Sequence, residues 1–196
     1  MQVIQHRVNT IKELEAVPFK YGVEVDLHFN SSNVFVGHDP FDLTLTFSEF
    51  LSHYQHQIIA VNIKEEGIED MVINCLNQNS VSNFFLFDLS FPSLMRLIKK
   101  GEKRIALRVS DFEDIRMIDS FARKVDWLWI DIFENSNFLR EESWSKWKDF
   151  RKCLVSPELH VERDKVSSEN IFRDVSGYKN RIEAICTKSP NRWESL

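Results

Sequence analysis

Tyr21-Gly22-Val23-Glu24-Val25-Asp26-Leu27 is an apolar run, strand-like in composition, with two carboxylates standing two residues apart. Side chains two apart on a strand point the same way, so Glu24 and Asp26 face one side together. A hard divalent cation needs such a pair of oxygen donors. Upstream, the run Val3-Ile4-Gln5 ends in His6-Arg7; downstream, Val34-Phe35-Val36 leads into Gly37-His38-Asp39-Pro40. Two histidines flanking the carboxylates can supply a base and an acid on opposite sides of a reacting group. Either histidine alone is explained as well by a structural hydrogen bond. The ordered set is what points to chemistry.

Working outward, strand-like runs recur at Val3–Gln5, Gly22–Leu27, Ile58–Ile63, Asn83–Phe87, Arg104–Val109, Trp127–Ile132, Cys153–Ser156 and Arg181–Cys186, with Val34–Val36 as a short extra pairing. Several are nearly continuous in apolar residues, as expected of parallel strands covered by helices. The segments between them carry helical punctuation. Thr46 is placed to cap a helix, with Glu49 three residues on. Pro92 sits where a first turn tolerates proline, and Gly101 follows a basic end. Glu141–Lys152 is expected to be helical, with Trp144, Trp147 and Phe150 as its buried face. His53 and His56 fall in a presumed helix and are read as surface residues. Strand–helix alternation repeated eight times predicts an α/β fold, a (β/α)8 TIM barrel occupying residues 1–196 as a single domain. Such barrels take ~200 to ~250 residues, so this one is minimal, with a truncated last helix over Asn191–Leu196. The wall left uncovered there leaves room for a homo-oligomer.

The set His6-Arg7, Glu24-Val25-Asp26 and His38-Asp39 resembles the pattern of the glycerophosphodiester phosphodiesterase family, with Asn30-Ser31-Ser32-Asn33 standing where that family often has a Thr-x-Asp-Gly-like turn. That family belongs to the barrel superfamily that includes phosphatidylinositol-specific phospholipases C. The likeness is strongest over residues 3–40 and extends to 58–67. It implies a metal-assisted phosphodiester hydrolase of lipid metabolism, acting on glycerophosphodiester-like small molecules, with His6 and His38 as the acid–base pair. It further implies a divalent cation, Mg²⁺ or Ca²⁺, at Glu24 and Asp26. One position departs from the pattern. The family's third strand carries Glu-x-Lys, and this chain reads Asn62-Ile63-Lys64, so Lys64 is kept while a metal-binding carboxylate becomes the neutral amide of Asn62. An amide oxygen still ligates a hard cation, without adding charge.

In a barrel of this kind the chemistry lies at the C-terminal ends of the strands. His6, Arg7, Glu24, Asp26, His28, Asn62, Lys64, Asp88, Arg108, Ser110, Asp131, Glu158 and Lys188 all fall at or just beyond such ends. Arg7, Lys64 and Arg108 are the expected phosphate-binding residues, arginine offering a forked pair of donors and lysine a point charge. For Asp131 and Glu158, a loop cap or an ion pair explains the residue at least as well. The Asn62 departure supports an alternative reading: a catalytically degenerate barrel that binds a phosphorylated ligand or a protein partner.

Composition narrows the rest. Hydrophobic residues make up 43% of 196, with 16 Phe and 5 Trp, enough for one well-buried core. A net charge of -5 gives no support to a nucleic-acid binder, which would want a basic stripe, and no nucleic-acid partner is expected. Cys75, Cys153 and Cys186 lack metal-site or disulfide spacing and read as reduced thiols. Neither a leader nor an apolar run of the ~20 residues that span a bilayer is visible. The expectation is a cytoplasmic protein with no stable membrane insertion.

Overall fold

The computed structural model describes residues 1–160 and 165–195. Its strands are β1 Gln2–Gln5, β2 Gly22–Asn30, β3 Asn33–Val36, β4 Leu45–Thr46, β5 Ile59–Ile63, β6 Phe84–Phe87, β7 Ala106–Val109, β8 Trp127–Ile130, β9 Arg151–Val155 and β10 Ala184–Thr187. The helices are α1 Ile11–Ala16, α2 Phe47–Ser52, α3 Glu69–Gln78, α4 Phe91–Lys99, α5 Glu141–Lys146, α6 Lys165–Ser176 and α7 Pro190–Glu194. Between β7 and β8 the connection is a 3-10 helix, Ile115–Phe121.

All ten of these strands join one mixed sheet. Eight pair in parallel in the order β7-β8-β9-β10-β1-β2-β5-β6. The far half of β2 outruns its parallel neighbours and turns back on β3 as an antiparallel hairpin, which β4 extends. The two ends of the parallel series touch through one parallel bridge, Leu86 to Ile105, with the Leu86 N–H donating to the Arg104 carbonyl at 3.0 Å.

Alternation divides the apolar residues into two cores. Val23, Val25, Ile59, Val61, Leu86, Leu128, Ile130 and Ile185 face the helices and join the large core with Leu14, Phe50, Val72 and Leu97. Their strand neighbours Ile4, Ala60, Phe85, Phe87, Trp127, Trp129, Cys153 and Cys186 form a second core on the other face, where Phe87 stacks on Trp129 at 4.0 Å. Burial on both faces is why these strands read as continuous apolar runs. Gly22 lies at the start of β2, where a Cβ would stand 2.3 Å from the Ile58 Cγ2 and 2.7 Å from its carbonyl oxygen. Only glycine allows that approach.

The helix caps follow the sequence. The Thr46 hydroxyl accepts from the Glu49 N–H at 3.2 Å, Pro92 lies in the first turn of α4, and Gly101 takes φ +83° past its end. Two expectations are corrected. The segment Glu141–Lys152 is not one helix: α5 stops at Lys146, a 3-10 turn covers Trp147–Asp149, and Arg151 opens β9. Trp144, Trp147 and Phe150 are buried as expected, and their three-residue spacing is the period of the 3-10 turn. His56 is not on a helix surface. The apolar spacing of α2 ends at Leu51, the chain turns, and His56 is buried with its Nε2 3.0 Å from the Val17 carbonyl.

Candidate active site

Where the strand alternation that builds the second core runs on towards the C-terminal ends, the same face becomes polar. Ile4 is followed by His6, Ala60 by Asn62, Ala106 by Arg108 and Trp129 by Asp131; on β2 the same face carries Glu24 and Asp26. Glu24 and Asp26 are 1% and 2% exposed. Asp26 and Asn62 are direct partners in the β2–β5 ladder.

The two carboxylates live in different surroundings. Asp26 accepts from Lys64 Nζ at 2.9 Å and Asn9 Nδ2 at 2.8 Å, with Arg7 Nε at 3.9 Å. Burial opposes its charge, but the Lys64 and Asn9 hydrogen bonds outweigh it and hold the carboxyl below its usual range. Glu24 accepts from the Arg7 backbone N–H at 2.7 Å and has the His6 Nε2 at 3.7 Å. Burial, and then the Asp26 charge beside it, raise the Glu24 carboxyl well above the ordinary carboxylate range. Arg7 has φ +56°, a left-handed conformation costly for a residue with a Cβ. That turn gives Glu24 its backbone donor while the guanidinium reaches Asp26.

His6 is mostly buried, and its pKa is lowered to about 4 by burial first, then by Arg7 and Lys188. His38 is exposed in the loop after β3. The loop is tethered: His28 Nε2 lies 3.3 Å from the His38 carbonyl, His28 Nδ1 lies 3.1 Å from Glu65 Oε1, and Glu65 Oε2 accepts from the Phe29 N–H at 2.9 Å. His28, buried, thus holds His38 in place.

His6, Arg7, Glu24, Asp26 and Lys64 are therefore joined by contacts, with Asn62 beside Asp26 in the ladder; His38 is tied to them only through the loop that His28 tethers. Arg108 is not drawn into that contact network. Its guanidinium pairs with Asp88 and, at 3.5 Å, with Asp131, which has His160 Nε2 at 3.4 Å on its other oxygen. Asn9, Glu65 and His160 escaped the sequence reading. Asn9 lies three residues past His6, a spacing no motif marks; Glu65 and His160 become partners only through the fold. Among the described residues no cluster of three or more His, Cys, Asp or Glu side chains is arranged to hold a metal. The oxygen donors are two carboxylates plus the Asn62 Oδ1, which is buried without a hydrogen-bond partner. A buried acceptor without a hydrogen-bond partner, across the ladder from Asp26, is an oxygen donor of the kind a hard cation takes.

Beside His6 lies a cleft of about 620 Å³, lined by His6, Arg7, Val8, Tyr21, Lys188 and Asn191 among others. It runs along α1 and the turn to Tyr21, between the loop after β1 and the loop after β10, and meets the cluster at His6 and Arg7.

Neither a family model nor a curated protein sequence matches the chain. Solved structures do. The fold is shared with glycerophosphodiester phosphodiesterase structures. A proposed glycerophosphoryl diester phosphodiesterase from Agrobacterium tumefaciens superposes with a TM-score of 0.67 at 14% identity, over 100% of this chain and 96% of that one. A proposed glycerophosphodiester phosphodiesterase from Galdieria sulphuraria gives 0.69 at 11% identity, over 99% and 96%. A second A. tumefaciens glycerophosphodiester phosphodiesterase gives 0.69 at 11% identity, over 100% and 99%. At such identities the likeness is one of fold. No helix among the described residues is long and apolar enough to cross a membrane.

Proposed function

We propose that this protein is a phosphodiester hydrolase acting on glycerophosphodiester-like small molecules from a (β/α)8 barrel. The observation that carries the reading is the buried Glu24–Asp26 pair, with His6 Nε2 3.7 Å from Glu24 and Lys64 Nζ 2.9 Å from Asp26, at the polar end of a fold shared with glycerophosphodiester phosphodiesterases. Glu24, Asp26 and Asn62 would hold a divalent cation, Mg²⁺ or Ca²⁺, and that ion supplies Lewis-acid polarisation of the phosphoryl oxygen. The remaining work falls to side chains. One histidine takes the proton of the attacking hydroxyl, from water or from the substrate alcohol beside the phosphate, and the other gives a proton to the leaving oxygen. Lys64 and Arg7 keep Asp26 charged and present positive charge to the phosphate. His28 and Glu65 fix the loop that carries His38.

Hydrolysis of glycerophosphocholine and of bis(p-nitrophenyl) phosphate, assayed with Mg²⁺, Mn²⁺ and Ca²⁺, tests the proposal. His6→Ala is expected to lower kcat by roughly 10²-fold or more, the scale of a lost general acid or base. Equal rates for wild type and His6→Ala would sink the assignment. Metal and ligand binding without any hydrolysis would favour the degenerate barrel, for which the uncharged Asn62 is the motivating residue.

A further inference from the structure

We propose that Lys188 is a further phosphate-binding residue of this site, reading the anionic part of the substrate from the cleft between the loops after β1 and β10. The inference rests on the phosphodiesterase reading and adds a residue that none of its motifs marks. Among the cations near His6, Lys64 and Arg7 are engaged with Asp26, at 2.9 and 3.9 Å. Lys188 has no carboxylate ion-pair partner among the described residues. It is exposed and lines the cleft with His6, Arg7 and Asn191. A flexible stem ending in an unpaired ammonium is suited to follow a phosphate oxygen as a point charge.

The base of that lysine is fixed in advance. Glu158 Oε1 accepts from the Thr187 hydroxyl at 2.5 Å and from the Lys188 backbone N–H at 3.3 Å. Glu158 Oε2 accepts from the Ser156 hydroxyl, and Ser156 Oγ accepts from the Trp193 indole N–H at 2.8 Å. Ser156, Thr187 and Trp193 are fully buried. Glu158 therefore acts as a positioning residue: it pins the backbone from which Lys188 projects.

The test is calorimetric titration of inorganic phosphate into the protein in the presence of a chelator, with hydrolysis of bis(p-nitrophenyl) phosphate measured separately in Mg²⁺. Lys188→Ala is expected to weaken phosphate binding roughly tenfold, the loss of one hydrogen bond to a charged group. Lys188→Arg should keep most of the affinity. As the side chain is exposed, both variants should melt as wild type does. Absence of phosphate binding by the wild type, or equal binding by wild type and Lys188→Ala, overturns the role of Lys188 whether or not the protein turns over. Wild-type binding that is lost in Lys188→Ala, with no hydrolysis by either, upholds Lys188 and instead removes the catalytic reading.

Discussion

Asn62 meets Asp26 across the β2–β5 ladder, its Oδ1 buried and without a partner. Asn62→Glu would put a third carboxylate beside Glu24 and Asp26. At 4 Å and an effective dielectric of 20, a unit charge pair is worth roughly 4 kcal/mol before desolvation is counted. With two carboxylates already there, the net gain for a dication should be smaller, about tenfold in affinity. Titration of Mg²⁺ and Ca²⁺ into both proteins checks this, and the metal concentration giving half-maximal hydrolysis should fall in parallel. If Asn62 serves the phosphate directly, the same substitution lowers activity at every metal concentration. Unchanged metal affinity and unchanged rate would place Asn62 outside the site. Residue types and order made the buried cluster legible: Glu24 and Asp26 by their spacing, and His6 by the strand that it follows. Asn9 was not, because its value lies in meeting Asp26 twice, through Nδ2 at 2.8 Å and by accepting the Asp26 N–H at 3.0 Å. Arg108 sits at the end of β7 as its position predicts, and what the sequence does not show is its pairing with Asp88 and Asp131.

At the level of elements, the loops after β7 and β8 are joined by one side chain. Asp111 accepts backbone N–H groups from Phe133 at 2.8 Å, Glu134 at 2.7 Å and Asn135 at 3.1 Å. Burial opposes the Asp111 charge, yet these three donors outweigh it and hold the carboxyl below its usual range. A folded-state pKa below the unfolded value, ~3.9, contributes stability that is present above that value and lost as pH falls through the folded pKa. Asp111→Ala should therefore cost about 1–2 kcal/mol at pH 7, allowing for the solvent near this loop. Urea unfolding at pH 7 and at pH 3 measures it: the gap between wild type and Asp111→Ala should narrow at the lower pH. An equal gap at both values would mean that the carboxylate charge contributes nothing. Such a bridge is invisible in the sequence, since Asp111 and Phe133 are linked only by the fold. The helices were easier, because caps and apolar spacing are local. Their ends were harder: the Trp144–Trp147–Phe150 spacing marks burial without distinguishing a last α turn from a 3-10 turn.

For the molecule as a whole, strand–helix alternation was legible because parallel strands buried on both faces leave nearly unbroken apolar runs. How the two ends of the series meet was not, since a single bridge, Leu86 to Ile105, leaves no periodic trace. The short final helix raises the related question of how the β10 side is covered. Trp193 answers part of it. It is fully buried, packs on Phe172 at 4.9 Å, and donates its indole N–H to Ser156 Oγ at 2.8 Å. One large side chain on α7 thus seals the outer core and tethers the network of Ser156, Glu158 and Thr187 that carries Lys188. Trp193→Ala should cost about 3–5 kcal/mol, the scale of a buried aromatic replaced by a cavity, against a total of ~5–15 kcal/mol for an ordinary domain. Trp193→Phe keeps most of the packing and removes the donor, so it should cost about 1–2 kcal/mol. Urea denaturation midpoints of the two variants separate the effects. If both variants lose the same small amount, the cleft wall beside Lys188 stands without Trp193, and cover from a second copy of the chain becomes the expected explanation. Sedimentation of the wild type would then have to reveal that copy.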